Sequence, residues 1–144
     1  MSYEAGAALQ IAVYQALRTD PALAALIGDA VFDAMPVTAP SGTYVALGAE
    51  DVADAGDMTG RGTRHDFVVS VLSGADEGGG GFADVKAAAG AVARALEDGA
   101  VALEHGRLAG LWFVSARARR VESGAGRRVD MTFRARIDLG LNVA

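Results

Sequence analysis

His65 and His105, 40 residues apart, are the chain's two imidazoles and its first candidates for acid–base or metal chemistry. Neither falls in an HExxH or similar ligand spacing, so no metal centre is expected, and each reads as a surface or strand-end histidine. There is no cysteine, which excludes disulfides, Cys-ligated zinc, iron–sulfur clusters and thiol catalysis. No serine sits in a GxSxG frame, so a nucleophile elbow is excluded. Asp51, Asp54 and Asp57 recur at every third residue. An EF-hand loop instead sets its first ligands on alternate residues, so these carboxylates read as a solvated acidic loop.

The glycines lead to the same place. After Gly60-Arg61-Gly62, His65 stands where a dinucleotide fingerprint needs its third glycine. The run Gly78 to Gly81 precedes a helix, but Lys86 lies between Val85 and Ala87, so no Walker signature follows. A flexible hinge is the expectation there. No catalytic residue, cofactor or metal emerges.

A chain of 144 residues suits a single domain spanning 1–144. Hydrophobic residues make up 51%, yet 31 of them are alanine, so each buries little area and the isolated chain should be modestly stable. No apolar run approaches the ~20 residues that span a bilayer, and no basic-then-apolar leader opens the sequence. The expectation is therefore no membrane contact, and a chain that works inside the cell or is carried out by something larger.

The net charge of −5 hides a gradient: −7 through Gly60, and +5 from His105 onward. Twelve of the thirteen cations are arginine. A chain acidic at one end and basic at the other can pair head to tail with its own copies, whereas a nucleic-acid binder is usually basic overall. The arginines of the last strands carry no interleaved aromatics to stack bases, so they read as a solvated sheet face or a protein interface.

Periodicity supplies the elements. Leu9, Ala12, Val13, Ala16 and Leu17 form one stripe of a helix over Ser2–Leu17, with Ile11 and Tyr14 projecting from the other side. Asp20-Pro21 caps a short second helix that Gly28 closes. Strands are expected at Ala30–Met35, Thr43–Ala49 and His65–Ser73, the last one central, with Glu50–Thr63 as a long exposed loop. Phe82–Glu97 is the clearest helix. Leu108–Val121 and Arg127–Leu141 flank a turn at Glu122–Gly126. In the last strand Val129, Met131, Phe133, Ala135, Ile137 and Leu139 alternate with Arg128, Asp130, Thr132, Arg134, Arg136 and Asp138, the mark of an antiparallel sheet with one face packed and one wet. Its partner is expected to turn Trp112, Val114, Ala116 and Ala118 inward. Leu111 and Phe113 would then form an outward apolar patch, beside outward Arg117 and Arg119. The fold class is α+β, an antiparallel β-sheet with helices packed on one face.

Several segments carry a resemblance through their order. The opening helix runs into Asp20-Pro-Ala-Leu-Ala-Ala-Leu-Ile-Gly28 and Val31-Phe-Asp-Ala-Met-Pro36. Thr59-Gly-Arg-Gly62 with His65 follows, then Leu103 through Leu108, then a hairpin with Phe133-Arg-Ala-Arg136. Together they resemble the small DUF3168 family, whose members look like tail terminator (tail-completion) proteins of long-tailed phages. The Ala-, Arg- and Gly-rich version here is most similar to those of alphaproteobacterial prophages and gene transfer agents. The run Gly78 to Gly81 departs from the pattern, since relatives more often carry polar or charged residues there.

The resemblance implies a mechanical role without enzymatic activity. Such proteins form a homo-hexameric ring on the last ring of the tail tube, end its polymerisation and join it to the neck or stopper protein. DNA passes through the lumen without sequence recognition. The implied location is the tail–neck junction of a virion or gene transfer agent particle, assembled in the bacterial cytoplasm. The residues suit a heterologous ring contact: Ile11 and Tyr14 on the first helix, the Leu111/Phe113 patch, and Arg117 and Arg119 facing the acidic first 60 residues of a neighbour. The loop from Glu50 to Arg64 is expected to be mobile and to order on assembly, with Met58 as apolar anchor and Arg61 and Arg64 as charged contacts. Two alternatives stay open: another neck component, such as a head-completion or stopper protein, and a small-molecule-binding domain using the loop from Gly74 to Phe82 as a lid.

Overall fold

The computed structural model describes residues 3–73, 82–98, 101–121 and 126–141. The expected glycine hinge at Gly78–Gly81, the candidate lid loop from Gly74 up to Phe82, and residues 122–125 of the expected turn lie outside them. Helices α1 (Gly6–Arg18), α2 (Pro21–Ile27) and α3 (Phe82–Glu97) pack against five strands, β1 (Val31–Phe32), β2 (Thr43–Asp54), β3 (Gly60–Ser73), β4 (Arg107–Arg120) and β5 (Arg127–Leu141). The sheet order is β1-β2-β3-β5-β4, antiparallel except for β1, which runs parallel to β2. This is the α+β architecture that the periodicity indicated.

The core lies between the helices and one sheet face. Leu9, Val13 and Leu17 of α1, Leu23 of α2 and Val85, Val92 and Leu96 of α3 meet Val45, Val69, Val71, Met131, Phe133 and Ile137 of the sheet. The expected stripe of α1 is buried in full. On α3 the buried alanines Ala88, Ala89, Ala91 and Ala95 let the helix approach the sheet closely. The short α2 depends on its start. Asp20 accepts the Leu23 N–H at 2.9 Å and Pro21 presets the first turn, while Gly28 ends the helix at φ 67°. Among the described residues no helix is long and apolar enough to cross a membrane.

Three expectations are corrected. The first strand shrinks to Val31–Phe32, because Pro36 and the bends before it break the pairing. The segment Glu50–Thr63 is no long loop. β2 runs to Asp54 and β3 starts at Gly60, so only 55–59 turn. Cross-strand pairing from Glu50↔Phe67 to Asp54↔Thr63 holds a polar stretch that propensity alone would leave open. Third, the faces of β4 are mixed. Register shifts at Leu108/Gly110 and Phe113/Ser115 insert bulges, and each reverses the alternation. Leu111 and Phe113 therefore stand opposite Ala135 and Phe133 on the helix side, while Trp112 stands opposite Arg134 on the open side. Ala116 and Ala118, opposite Met131 and Val129, do face the helix side as expected. Trp112 and Val114 are exposed rather than buried.

Candidate assembly surface

The hairpin of β2 and β3 is built around Asp57. Its carboxylate accepts the backbone N–H of Thr59 at 2.9 Å and of Gly60 at 2.8 Å, and the Thr59 hydroxyl at 3.0 Å. Those donors hold the Asp57 pKa below the usual carboxylate value. Behind the turn, Arg136 donates to the Ala55 carbonyl at 2.7 Å and Arg61 to the Leu139 carbonyl at 3.0 Å. Arg61 also pairs with Glu4 at 3.3 Å. Met58 stands at the tip almost fully exposed, and Arg64 is exposed on β3.

Beneath the start of α1 lies a polar knot. His65 is fully buried, not superficial, with Nδ1 2.9 Å from Glu50 Oε2 and Nε2 2.9 Å from Thr63 Oγ1. Tyr3 donates its hydroxyl to Glu50 Oε1 at 2.6 Å, which raises its own pKa, and its ring stacks on His65. Gly6 makes room for that ring, since a Cβ there would strike it. Hydroxyl, imidazole and carboxylate stand in the order of a nucleophilic relay. Thr63 is itself buried, so this arrangement offers a substrate no approach and serves to fasten the N-terminal segment to the sheet. The signal was present in the sequence: reading β3 from Thr63 puts Thr63, His65, Phe67, Val69 and Val71 on one face. His105, the second histidine, is exposed and 3.4 Å from Glu4.

The opposite sheet face is charged and largely self-neutralised. Arg134 grips Asp66 through two hydrogen bonds of 2.7 and 3.0 Å, lowering the Asp66 pKa. Burial opposes ionisation of Asp130, but hydrogen bonds from Arg128 and Ser70 outweigh it and its pKa falls below the usual value. Arg119 adds a 3.4 Å contact to Asp130, and Arg107 pairs with Asp138 at 3.0 Å. Where the β2–β3 turn, the start of β4 and the end of β5 meet, a groove of about 700 Å³ opens, bordered by Asp57, Arg61, Arg107, Trp112 and Arg136.

The expected interface residues do not form one patch. Ile11 is exposed on α1. Tyr14 is half-buried, packed on the core and bonded by Arg18 at 2.9 Å. Phe113 is 41% exposed although it faces the helix side, and Leu111 is half-buried. Both therefore belong to a thinly covered rim of the core, where β4 forms the sheet edge. Arg117 and Arg119 are exposed on the open face, as expected.

The model of the family described as tail completion protein gp17 matches residues 11–138. A chain in the solved structure "Virion of native gene transfer agent (GTA) particle" is 56% identical and superposes with a TM-score of 0.84, covering 95% of this chain and 99% of that one. The type 4 fimbrial biogenesis protein PilO from Pseudomonas aeruginosa, 10% identical over 68% of this chain and 58% of its own, reaches a TM-score of 0.34, too low to inform the fold. No curated protein sequence matches.

Proposed function

The chain belongs to the tail completion protein gp17 family, and from that premise we propose that it terminates the tail of a phage-like particle. In this reading six copies form a ring on the last ring of the tail tube, stop its growth and join it to a neck protein, with DNA passing through the lumen. The observation that carries the reading is the likeness, over almost the whole of both chains, to a component of a gene transfer agent virion. The charge separation along the chain supports a head-to-tail ring.

Light scattering on the purified protein tests the ring, with six times the 14.6 kDa of one chain as the expected mass. Micrographs of particles lacking the protein test the role. Overlong tubes would support termination, whereas tails of normal length beside separate heads would favour a stopper or head-completion protein.

A further inference from the structure

We propose that neighbouring copies join edge to edge, the basic outer edge of β4 in one copy pairing antiparallel with the acidic outer edge of β2 in the next. This rests on the ring reading and deepens it by naming the surface. The sheet has two incomplete edges. β4 is an outermost strand of 14 residues, and β1 flanks β2 only at Val45 and Ala46, leaving the stretch to Asp54 uncovered. Unpaired strand edges are templates for another strand, and β2 and β4 run in opposite directions within the sheet, so a β4–β2 junction continues its antiparallel order.

The charges select which edge meets which. On the middle of the sheet, Asp66–Arg134 and Asp130–Arg128 pair within the chain. At the edges, the side chains of Arg117 and Arg120 on β4 and of Asp51 and Asp54 on β2 make no hydrogen bond or ion pair among the described residues. Arg64 on β3 is likewise unpaired, but it lies inside the sheet. Unmatched cations on one edge and unmatched anions on the other complement each other only in a heterologous contact. Trp112, Phe113 and Val114, each about two-fifths exposed, supply the apolar surface that such a junction would cover.

The junction must be staggered. Through Asp130 and Ser70, Arg117 lies level with Ala46, the edge position that β1 already occupies. A neighbour can therefore pair only further along β2, and closing a sheet requires such an offset. Setting Arg117 beside Asp51 of the next copy, both on the open face, places Ser115 opposite Ala53.

With no native cysteine, paired substitutions report the contact cleanly. Ser115→Cys with Ala53→Cys, and Arg117→Cys with Ala53→Cys for the adjacent register, are oxidised and run without reductant. The expected result is a covalent ladder for at least one double variant and none for the single variants. Arg117→Asp or Asp51→Arg alone should raise dissociation several-fold at low salt, and the two together should restore the ring. A ring of normal mass that gives no ladder and ignores both charge changes overturns the edge pairing while the ring stands. A chain that stays monomeric alone and with tail tubes overturns both.

Discussion

Phe113 of the edge strand meets Phe133 of β5 edge to face, with ring centroids 5.9 Å apart and planes at 77°. Phe67 stacks on the other side of Phe133 at 5.8 Å, so Phe133 is held between two rings and is fully buried. The contact exists because the bulge at Phe113/Ser115 turns Phe113 toward the helices.

Phe133→Ala should therefore cost about 3–5 kcal/mol, the range for deleting a buried aromatic. Phe113→Ala should cost no more than ~1–2 kcal/mol, because that ring keeps much of its contact with water. Urea unfolding of the two variants gives the comparison, and equal losses would contradict the assigned faces.

Replacing His65 tests the buried knot. His65→Ala leaves the Glu50 carboxylate and the Thr63 hydroxyl without their ring partner, an expected loss of about 2–3 kcal/mol. The variant should also loosen Tyr3. Hydrogen exchange at the first turn of α1 would rise, since Tyr3 and Glu4 tie that segment to Glu50, Arg61 and His105.

Acid should weaken the fold through Asp66 and Asp130. Both carboxyls hold their protons less tightly folded than unfolded, so their contribution is complete above the unfolded pKa near 3.9. It is lost as pH falls from there through the lower folded values. Thermal melts from pH 7 to pH 2 should show stability falling below about pH 4, and Asp66→Asn should flatten part of that fall. At pH 7 this variant should lose ~1 kcal/mol at most, because the pair is partly exposed.

Asp20→Ala removes the side-chain acceptor at the start of α2 and should cost about 1 kcal/mol. Asp20→Asn keeps an acceptor there and should recover most of it. Denaturant midpoints of the two variants suffice.

Met58→Ser should leave stability within ~0.5 kcal/mol, since the side chain stands in water at the hairpin tip. If the tip contacts a tube or neck protein, the same variant should assemble fewer complete particles, counted by electron microscopy. Unchanged particle yield would remove Met58 from the interface.

Elements whose side chains repeat on a period could be read from residue order. The apolar stripe of α1, the span of α3, the cap at Asp20 and the alternation of β5 follow from local geometry alone. From these came the α+β class, while the central place of β3 followed from its β-branched, apolar composition. Features that depend on strand partners arise only when the chain folds. Glu50 to Asp54 is a strand because β3 lies beside it, although its residues favour a loop. The bulges of β4 reverse the faces of Trp112 and Phe113, and one unpaired residue in a ladder leaves no mark on composition. Alternation along β3 sets the side of the sheet that His65 takes, but its partners Glu50, Thr63 and Tyr3, from three stretches of chain, are brought to it by the fold. Periodicity records which way a side chain points along its own strand; the neighbouring strand sets what it meets.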